Sequence, residues 1–423
     1  MSKLDELIKE YCPYGVEYKK IKEVYKRLKG TPITAGKMKE IASDSGNVKI
    51  IAGGKTIIMA NREDIPNANI IDVPAVLVQS RGVINFVYLE EPFTFKNEMW
   101  AYTTDEQVSV KYLYYVLKNN VFHFRDAASG MGSLPQISLP VTEDFVLPVP
   151  PLEVQREIVR VLDKFTLLTA ELTAELTARK KQYEYYRDTL LDFTIDIPRV
   201  SLKEIATDIY RGSGIKRDQV TEEGIPCVRY GEIYTTYNTW FKDCVSHTLE
   251  EYISAPKYFS YGDILFAITG ESVEDIAKSV VYLGNEKCLA GGDIVVMKHN
   301  QNPRYMAHVL STSLAREQKS KGKVKSKVVH SNVPSIENIT IPLPSPDIQE
   351  RFANVLDNFE SICNNLSIGL PAEIDARQKQ YEFYRDQLLT FVEKGETILT
   401  DRQTDRQTDR QTVRQTDRQT DRA

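Results

Sequence analysis

The chain has 423 residues, 42% hydrophobic and 27% charged, which is room for two to four domains of ordinary globular composition and excludes a mainly disordered polypeptide. No run approaches the ~18 apolar residues of a membrane span, and MSKLDELIKEY carries acids where a secretory leader needs a basic flank, so a cytoplasmic protein without membrane contact is expected. With 54 basic against 59 acidic side chains and a net charge of −5, coating of nucleic acid through bulk charge is excluded, and any nucleic-acid surface has to be local.

In chain order, residues 1–150 hold short β-rich runs, NVKIIAG, AVLVQS and VINFVYLE, separated by glycine, asparagine and proline. Residues 151–195 follow as one long helix. Val154, Ile158, Val161, Leu162, Phe165, Leu168, Leu172 and Leu176 recur at three- and four-residue steps, continued by Tyr183, Tyr186 and Leu190. Residues 196–344 return to β-rich runs (YGDILFAITG, SVVYLG, GGDIVVMK). Residues 345–395 form a second helical stretch with its own stripe, Ile348, Phe352, Val355, Leu356, Phe359, Ile362, Ile374, Tyr381, Tyr384 and Leu388, broken near Gly369-Leu370-Pro371. Residues 396–423 are low in complexity, with DRQT repeated and interrupted once at Val413.

The two halves repeat one another. PLEVQREIVRVLDKF at 151–165 aligns with SPDIQERFANVLDNF at 345–359, and KQYEYYRDTLLDF at 181–193 with KQYEFYRDQLLTF at 379–391. A shorter echo joins VEYKKIKEV at 16–24 to VSLKEIATD at 200–208. The predicted fold class is α+β: two mixed α/β globules separated by a pair of long antiparallel helices, with a pseudo-twofold internal repeat.

Catalytic patterns are missing. Cys12, Cys227, Cys244, Cys288 and Cys363 form no C-x-x-C, and His123, His247, His299, His308 and His330 form no H-E-x-x-H, so no metal site and no catalytic residues are expected. Gly54-Lys55-Thr56 ends like a phosphate-binding loop, but Lys49 stands where the first glycine belongs. There is no G-x-G-x-x-G, no N-P-P-Y or D-P-P-Y, and Glu317-Gln318-Lys319 lacks the P-D strand of a nuclease half-site.

Candidate DNA contacts remain. Arg316, Lys319, Lys321, Lys323, Lys325 and Lys327 form a basic run, and alternating lysines on an extended segment can neutralise phosphates. YRGSGIKRD at 210–218 supplies Arg211, Lys216 and Arg217, and VRYGEIYTTYNTW at 228–240 supplies Arg229. In the first half, Lys55 of IAGGKT, Arg81 of VQSRG, and Arg125 and Ser129 of HFRDAASGMGSLPQIS are the counterparts. Arginine suits guanine edges, and small residues let the backbone approach a duplex.

The repeated Q…LD-x-F…KQYE-Y/F-YRD-x-LL pattern, spaced by two variable globules, resembles the specificity subunits of type I restriction-modification systems over nearly all of the chain except the DRQT tail. The resemblance implies two target recognition domains reading the two halves of an asymmetric, bipartite double-stranded DNA target. It also implies a helix pair that sets the spacer and docks two modification subunits, with two restriction subunits completing a nuclease. No cofactor belongs to this chain on that reading; S-adenosylmethionine, ATP and Mg belong to the partners. The competing readings are a non-DNA scaffold carrying two ligand-binding domains and a solitary nuclease or methyltransferase, the latter disfavoured by the missing motifs.

Two further features bear on regulation. The tandem TAEL of Thr169, Ala170, Glu171 and Leu172, then Thr173, Ala174, Glu175 and Leu176, is the expected ruler for the spacer, because four residues advance a helix by about one turn. DRQT is the peptide that a repeated GACA tetranucleotide encodes in every frame, so gain or loss of one unit would leave the tail's composition alone and shift the frame of the codons downstream of it. Phase variation is the expectation.

Overall fold

The computed structural model describes residues 3–53, 56–128, 134–193, 197–270, 272–273, 275–319, 323–325, 328–364 and 369–393, and of residues 323–325, 328, 363 and 364 the backbone only. It divides by contacts into two units, residues 1–170 with 376–423, and residues 171–375. The boundary falls inside the TAEL tandem.

In the first unit the apolar run AVLVQ becomes the strand Ala75–Gln79, a central member of a four-stranded antiparallel sheet ordered Lys26–Lys29, Trp100–Thr103, Ala75–Gln79, Asn85–Leu89. A strand that is apolar at four successive positions has to be covered on both faces. Its side chains alternate accordingly: Val76 and Val78 enter one core with the helix Gln107–Asn119, while Ala75 and Leu77 enter another with Phe93 and Phe95. A three-stranded sheet (Ile57–Ala60, Val48–Ile51, Phe93–Phe95) completes the globule.

The second unit is built on the same plan. Its main sheet runs Ala206–Arg211, Ile294–His299, Ile264–Ala267, Ser279–Tyr282, with Trp240–Phe241 added at the edge. Ile264 and Phe266 face one core, Leu265 and Ala267 the other, and the helix Pro303–Val309 packs where Gln107–Asn119 does in the first unit. A glycine follows the first strand of each sheet, and a Cβ there would lie 2.4 Å from the Phe95 carbonyl oxygen at Gly30 and 2.3 Å from that of Gly291 at Gly212. Only glycine permits so close a backbone approach. A second five-stranded sheet, from Val220–Thr221 to Tyr258–Phe259, adds to this unit.

The echo at 16–24 and 200–208 is also structural. Glu17–Lys20 pairs antiparallel with Val146–Val149, and Arg199–Ser201 with Thr340–Pro342; the last residue of each first strand, Lys20 or Ser201, donates its N–H to a glutamate of the single helical turn that follows, Glu23 or Glu204.

Leu152–Leu191 is one unbroken helix of 40 residues. Val154, Ile158 and Leu162 are part of the first unit's core, and Tyr183 and Leu191 part of the second's. Phe165 stacks on Tyr384 and touches Tyr381 within the first unit, while Tyr186 meets Phe359 within the second. The other helical copy is two helices, Pro346–Asn364 and Gly369–Leu388, the latter starting at a left-handed Gly369 with φ of 68°. Among the described residues no helix is long and apolar enough to cross a membrane.

Candidate nucleic-acid interface

Each globule is fastened to its helix by one set of residues used twice. In the first unit Asp163 of the LDKF segment accepts from the Tyr115 hydroxyl at 2.6 Å and pairs with Lys111 at 2.9 Å. In the second, Asp357 of LDNF accepts from His308 Nε2 at 2.7 Å and from Arg304 at 2.8 Å. Tyr112 and Tyr305 donate to the carbonyls of Pro148 and Pro342, and Gln155 and Gln349 to those of Pro150 and Pro344. Burial works against the Asp357 carboxylate, but the His308 hydrogen bond and the Arg304 charge outweigh it and hold it below the usual range. The sequence reading missed this set. Its signal was the alignment of KYLYYVL at 111–117 with RYMAHVL at 304–310, obscured because histidine replaces tyrosine and arginine replaces lysine.

His308, Asp357 and Glu360 are the one group of ligand-type side chains among the described residues whose donor atoms come within 4.8 Å of one another. His308 bridges the two sides of the group, with Nε2 against Asp357 at 2.7 Å and Nδ1 against the Tyr183 hydroxyl at 3.0 Å. With Arg304 already beside Asp357, the chemistry of the group is that of an ion-pair cluster.

Three predicted contacts of the second globule are exposed. Arg211 ends the strand Ala206–Arg211, donates to the Gly292 carbonyl and pairs with Asp293 at 2.6 Å, leaving its side chain 60% exposed. Lys216 and Arg217 open the single turn Arg217–Gln219 and are exposed. Arg229 differs: its Nε is held by Glu232 at 2.9 Å, and Glu232 also accepts from Ser246. That half-buried guanidinium is occupied in fixing the start of the helix Tyr230–Thr235.

In the first globule Arg81 follows the strand Ala75–Gln79 and is exposed, its backbone bridging Gln136. Arg125, exposed on the helix Val121–Asp126, donates through Nε to the Ile84 carbonyl and covers the exposed ring of Phe122. The structure therefore gathers Arg81 and Arg125 around one loop, residues 80–84. Lys118 joins them by donating to Asn85 at 2.9 Å, and burial together with the nearby Arg125 lowers its pKa. Lys118 had not been singled out, since it stands alone in an apolar helical segment. Lys55 and Ser129 lie outside the described residues.

The basic run divides. Lys323–Lys325 is a strand paired antiparallel with Val328–His330, which in turn pairs with Thr269–Gly270. Lys321 and Lys327 lie outside the described residues. Lys319 corrects the reading of the run as a solvated set: it ends the helix Ser313–Lys319, is 6% exposed, and gives its N–H groups to Ser279 Oγ at 2.8 Å and the Leu310 carbonyl at 2.6 Å. Burial, with Arg316 and Arg187 adding to it, pushes its pKa down to about 7. A side chain so enclosed is not placed to neutralise a phosphate on the surface of a duplex.

The TAEL tandem is continuous helix. Thr169 donates to the Phe165 carbonyl at 2.9 Å, Glu175 pairs with Arg179 at 3.5 Å, and Ala170, Glu171, Thr173 and Ala174 are exposed while Leu172 and Leu176 are half-buried. The predicted stripe is wider than the surface that covers it: Ile348, Val355, Phe359 and Ile362 are each more than a third exposed, as are Tyr186 and Leu190.

The model of the type I restriction modification DNA specificity domain matches twice, at residues 13–179 and 196–376. The chain belongs to that family. Each match takes in one globule and helical residues that complete its core, so this type I specificity protein carries the family's unit in duplicate. It is 28% identical over 369 residues to the Type I restriction enzyme EcoR124I/EcoR124II specificity subunit of Escherichia coli, covering 84% of this chain and 89% of that one. Among solved structures, a chain from a study of complex assembly and conformational transition in the type I R-M system aligns over 89% of this chain and 97% of its own, with 15% identity and a TM-score of 0.54, a likeness of fold. The S subunit of a type I system from M. genitalium aligns over 88% of this chain and 95% of its own, with 14% identity and a TM-score of 0.47.

Proposed function

We propose that this type I specificity protein reads an asymmetric, bipartite DNA target, with residues 1–150 recognising one half and residues 196–344 the other. The observation that carries the reading is the duplicated family unit: two separately cored globules of one topology, unlike in surface sequence, each fastened by the same aspartate set to helix. Unlike globules call for unlike half-sites. Arg81, Lys118 and Arg125 in the first globule, and Arg211, Lys216, Arg217 and the strand bearing Lys323 and Lys325 in the second, are the contact residues of this reading, with phosphate contacts positioning and base contacts specifying. Arg229 takes a supporting role, through Glu232.

The helices 151–195 and 345–395 pair antiparallel and fix the unread spacer, and the exposed Ile348, Val355, Phe359 and Ile362 take two modification subunits. The chain itself is non-catalytic. S-adenosylmethionine acts in the modification subunits, and ATP and Mg in two restriction subunits where those are present, all in the cytoplasm where the DNA is. The DRQT tail, residues 396–423, lies outside the described residues from 394 onward; at the level of the gene its repeat number would switch the reading frame and hence the subunit's C-terminal sequence. Counting repeats among sibling clones tests that switch, and an invariant number would end it. For the central reading, the assembled complex is expected to bind one bipartite duplex with steep salt dependence, and equal affinity for unrelated duplexes at every salt concentration would contradict it.

A further inference from the structure

A cavity of about 450 Å³ opens in the second unit between the helix Ser313–Lys319, the strand Ser279–Tyr282 and the last turns of the long helix. Its wall carries the cations Lys180, Lys278, Arg187, Arg316 and Lys319 and the acids Glu184, Asp275 and Glu360, with Arg316 3.8 Å from Glu184 at the exposed rim. Two of these cations are almost fully enclosed, Lys319 at 6% exposure and Arg187 at 3%. Arg187 is held by the adjacent Asp188 at 2.9 Å. Lys319 has no such counterpart: its hydrogen-bond acceptors are neutral, and the charges that act on it are those of Arg316 and Arg187, of its own sign. A buried ammonium whose hydrogen-bond acceptors are all neutral is destabilising.

The opposite anomaly lies in the same wall. Glu360 also lines the cavity and is 6% exposed, and its Oε2 has no hydrogen-bond partner. The nearest ring nitrogen, His308 Nδ1, is 4.0 Å away and is engaged with the Tyr183 hydroxyl at 3.0 Å. A buried carboxylate oxygen without a donor is as anomalous as a buried ammonium without an acceptor of opposite charge.

We propose that this cavity binds inorganic phosphate, with the oxyanion held by Lys319, Arg316 and Lys278 and a ligand O–H donated to Glu360 Oε2. One ligand of that kind satisfies both anomalies. The same oxyanion chemistry occurs in a DNA phosphodiester and in sulfate, but neither carries an acidic O–H at neutral pH, so both leave Glu360 without its donor. A site built to accept a hydrogen bond discriminates strongly against an analogue that cannot supply it. The proposal stands on this unit's own geometry and does not depend on the DNA reading.

Calorimetric titration of the full-length chain with phosphate, sulfate and dimethyl phosphate tests it. Phosphate is expected to saturate one site and to bind about tenfold or more tighter than sulfate or dimethyl phosphate. Lys319→Met should abolish the binding. Because that variant removes a buried side chain, Arg316→Gln at the exposed rim provides a second variant, expected to weaken phosphate by about tenfold. Glu360→Met, which removes the acceptor at similar side-chain length, should erase the preference for phosphate over sulfate. Absence of saturable phosphate binding, equal affinity for sulfate, tighter binding of dimethyl phosphate, or an Arg316→Gln variant with unchanged affinity would each overturn the proposal, the third by assigning the cavity to a nucleic-acid backbone.

Discussion

An amine enclosed by neutral acceptors and by cations of its own sign makes Lys319 a pH-dependent weakness of the second unit. Its folded-state pKa, near 7, lies below that of an unfolded lysine, so between those values the unfolded chain binds more protons and stability rises with pH. The penalty is fully present below pH 7. Lys319→Met should therefore raise the denaturant midpoint relative to the natural protein more at pH 6 than at pH 9, as followed by near-ultraviolet circular dichroism; a difference independent of pH would mean that the ammonium is solvated. The aspartates of the clamp give a second comparison. Asp357→Ala leaves His308 Nε2–H without its acceptor, at a cost of about 3 kcal/mol, whereas Asp163, 37% exposed, should cost about 1 kcal/mol on the same substitution. Equal losses would remove the burial argument. At the level of side chains the sequence was a partial guide. Arg211, Lys216 and Arg217 stand on the surface as a polar loop suggests, but a run of lysines is no measure of burial. Lys319 stands four residues after the buried Ala315, on the same face of its helix, and that face is turned into the core.

Helices and strands were more legible. AVLVQS and YGDILFAITG are apolar at successive positions, and each became a strand between two cores; the three- and four-residue stripe from Val154 onward became 40 residues of helix. The equivalence of Gln107–Asn119 with Pro303–Val309 was hidden because three identities in seven residues carry no periodic signal, while the Tyr–Pro carbonyl bond and the aspartate pairing that make it real are tertiary. For the strand Lys323–Lys325, replacing both lysines with glutamine should weaken DNA binding uniformly across sequences and reduce the salt slope by about 2; an unchanged slope would clear the strand of a phosphate role. For the TAEL tandem, a third copy inserted after Leu176 adds about 400° and ~6 Å to the helix. One base pair adds roughly 35° and 3.4 Å. The rotations match modulo a turn, and a loop facing the wrong side of a duplex loses its groove, whereas a small axial error can be taken up by bending. The insertion should lengthen the unread spacer by one base pair with both half-sites unchanged. Methylation at the original spacing would show that the helix is not the ruler.

Duplication is the property of the whole chain from which its function follows. Two units of one topology, cored separately and clamped by equivalent residues, can diverge in their surface loops without disturbing one another, and energetic coupling between distant, independent sites is small. The repeat itself was visible in the KQYE and LD-x-F segments because the helices have to keep their shared contacts, while the globules, free to vary in sequence, show their kinship only in strand order. The most direct measurement is a genome-wide methyladenine map of cells carrying this chain with its modification subunits, compared with cells in which residues 1–150 have been exchanged for those of a relative. The expected result is a bipartite, asymmetric target in which the exchange alters one half and leaves the other half and the spacing as they were. A target that changes in both halves together, or one that is contiguous, would contradict the account.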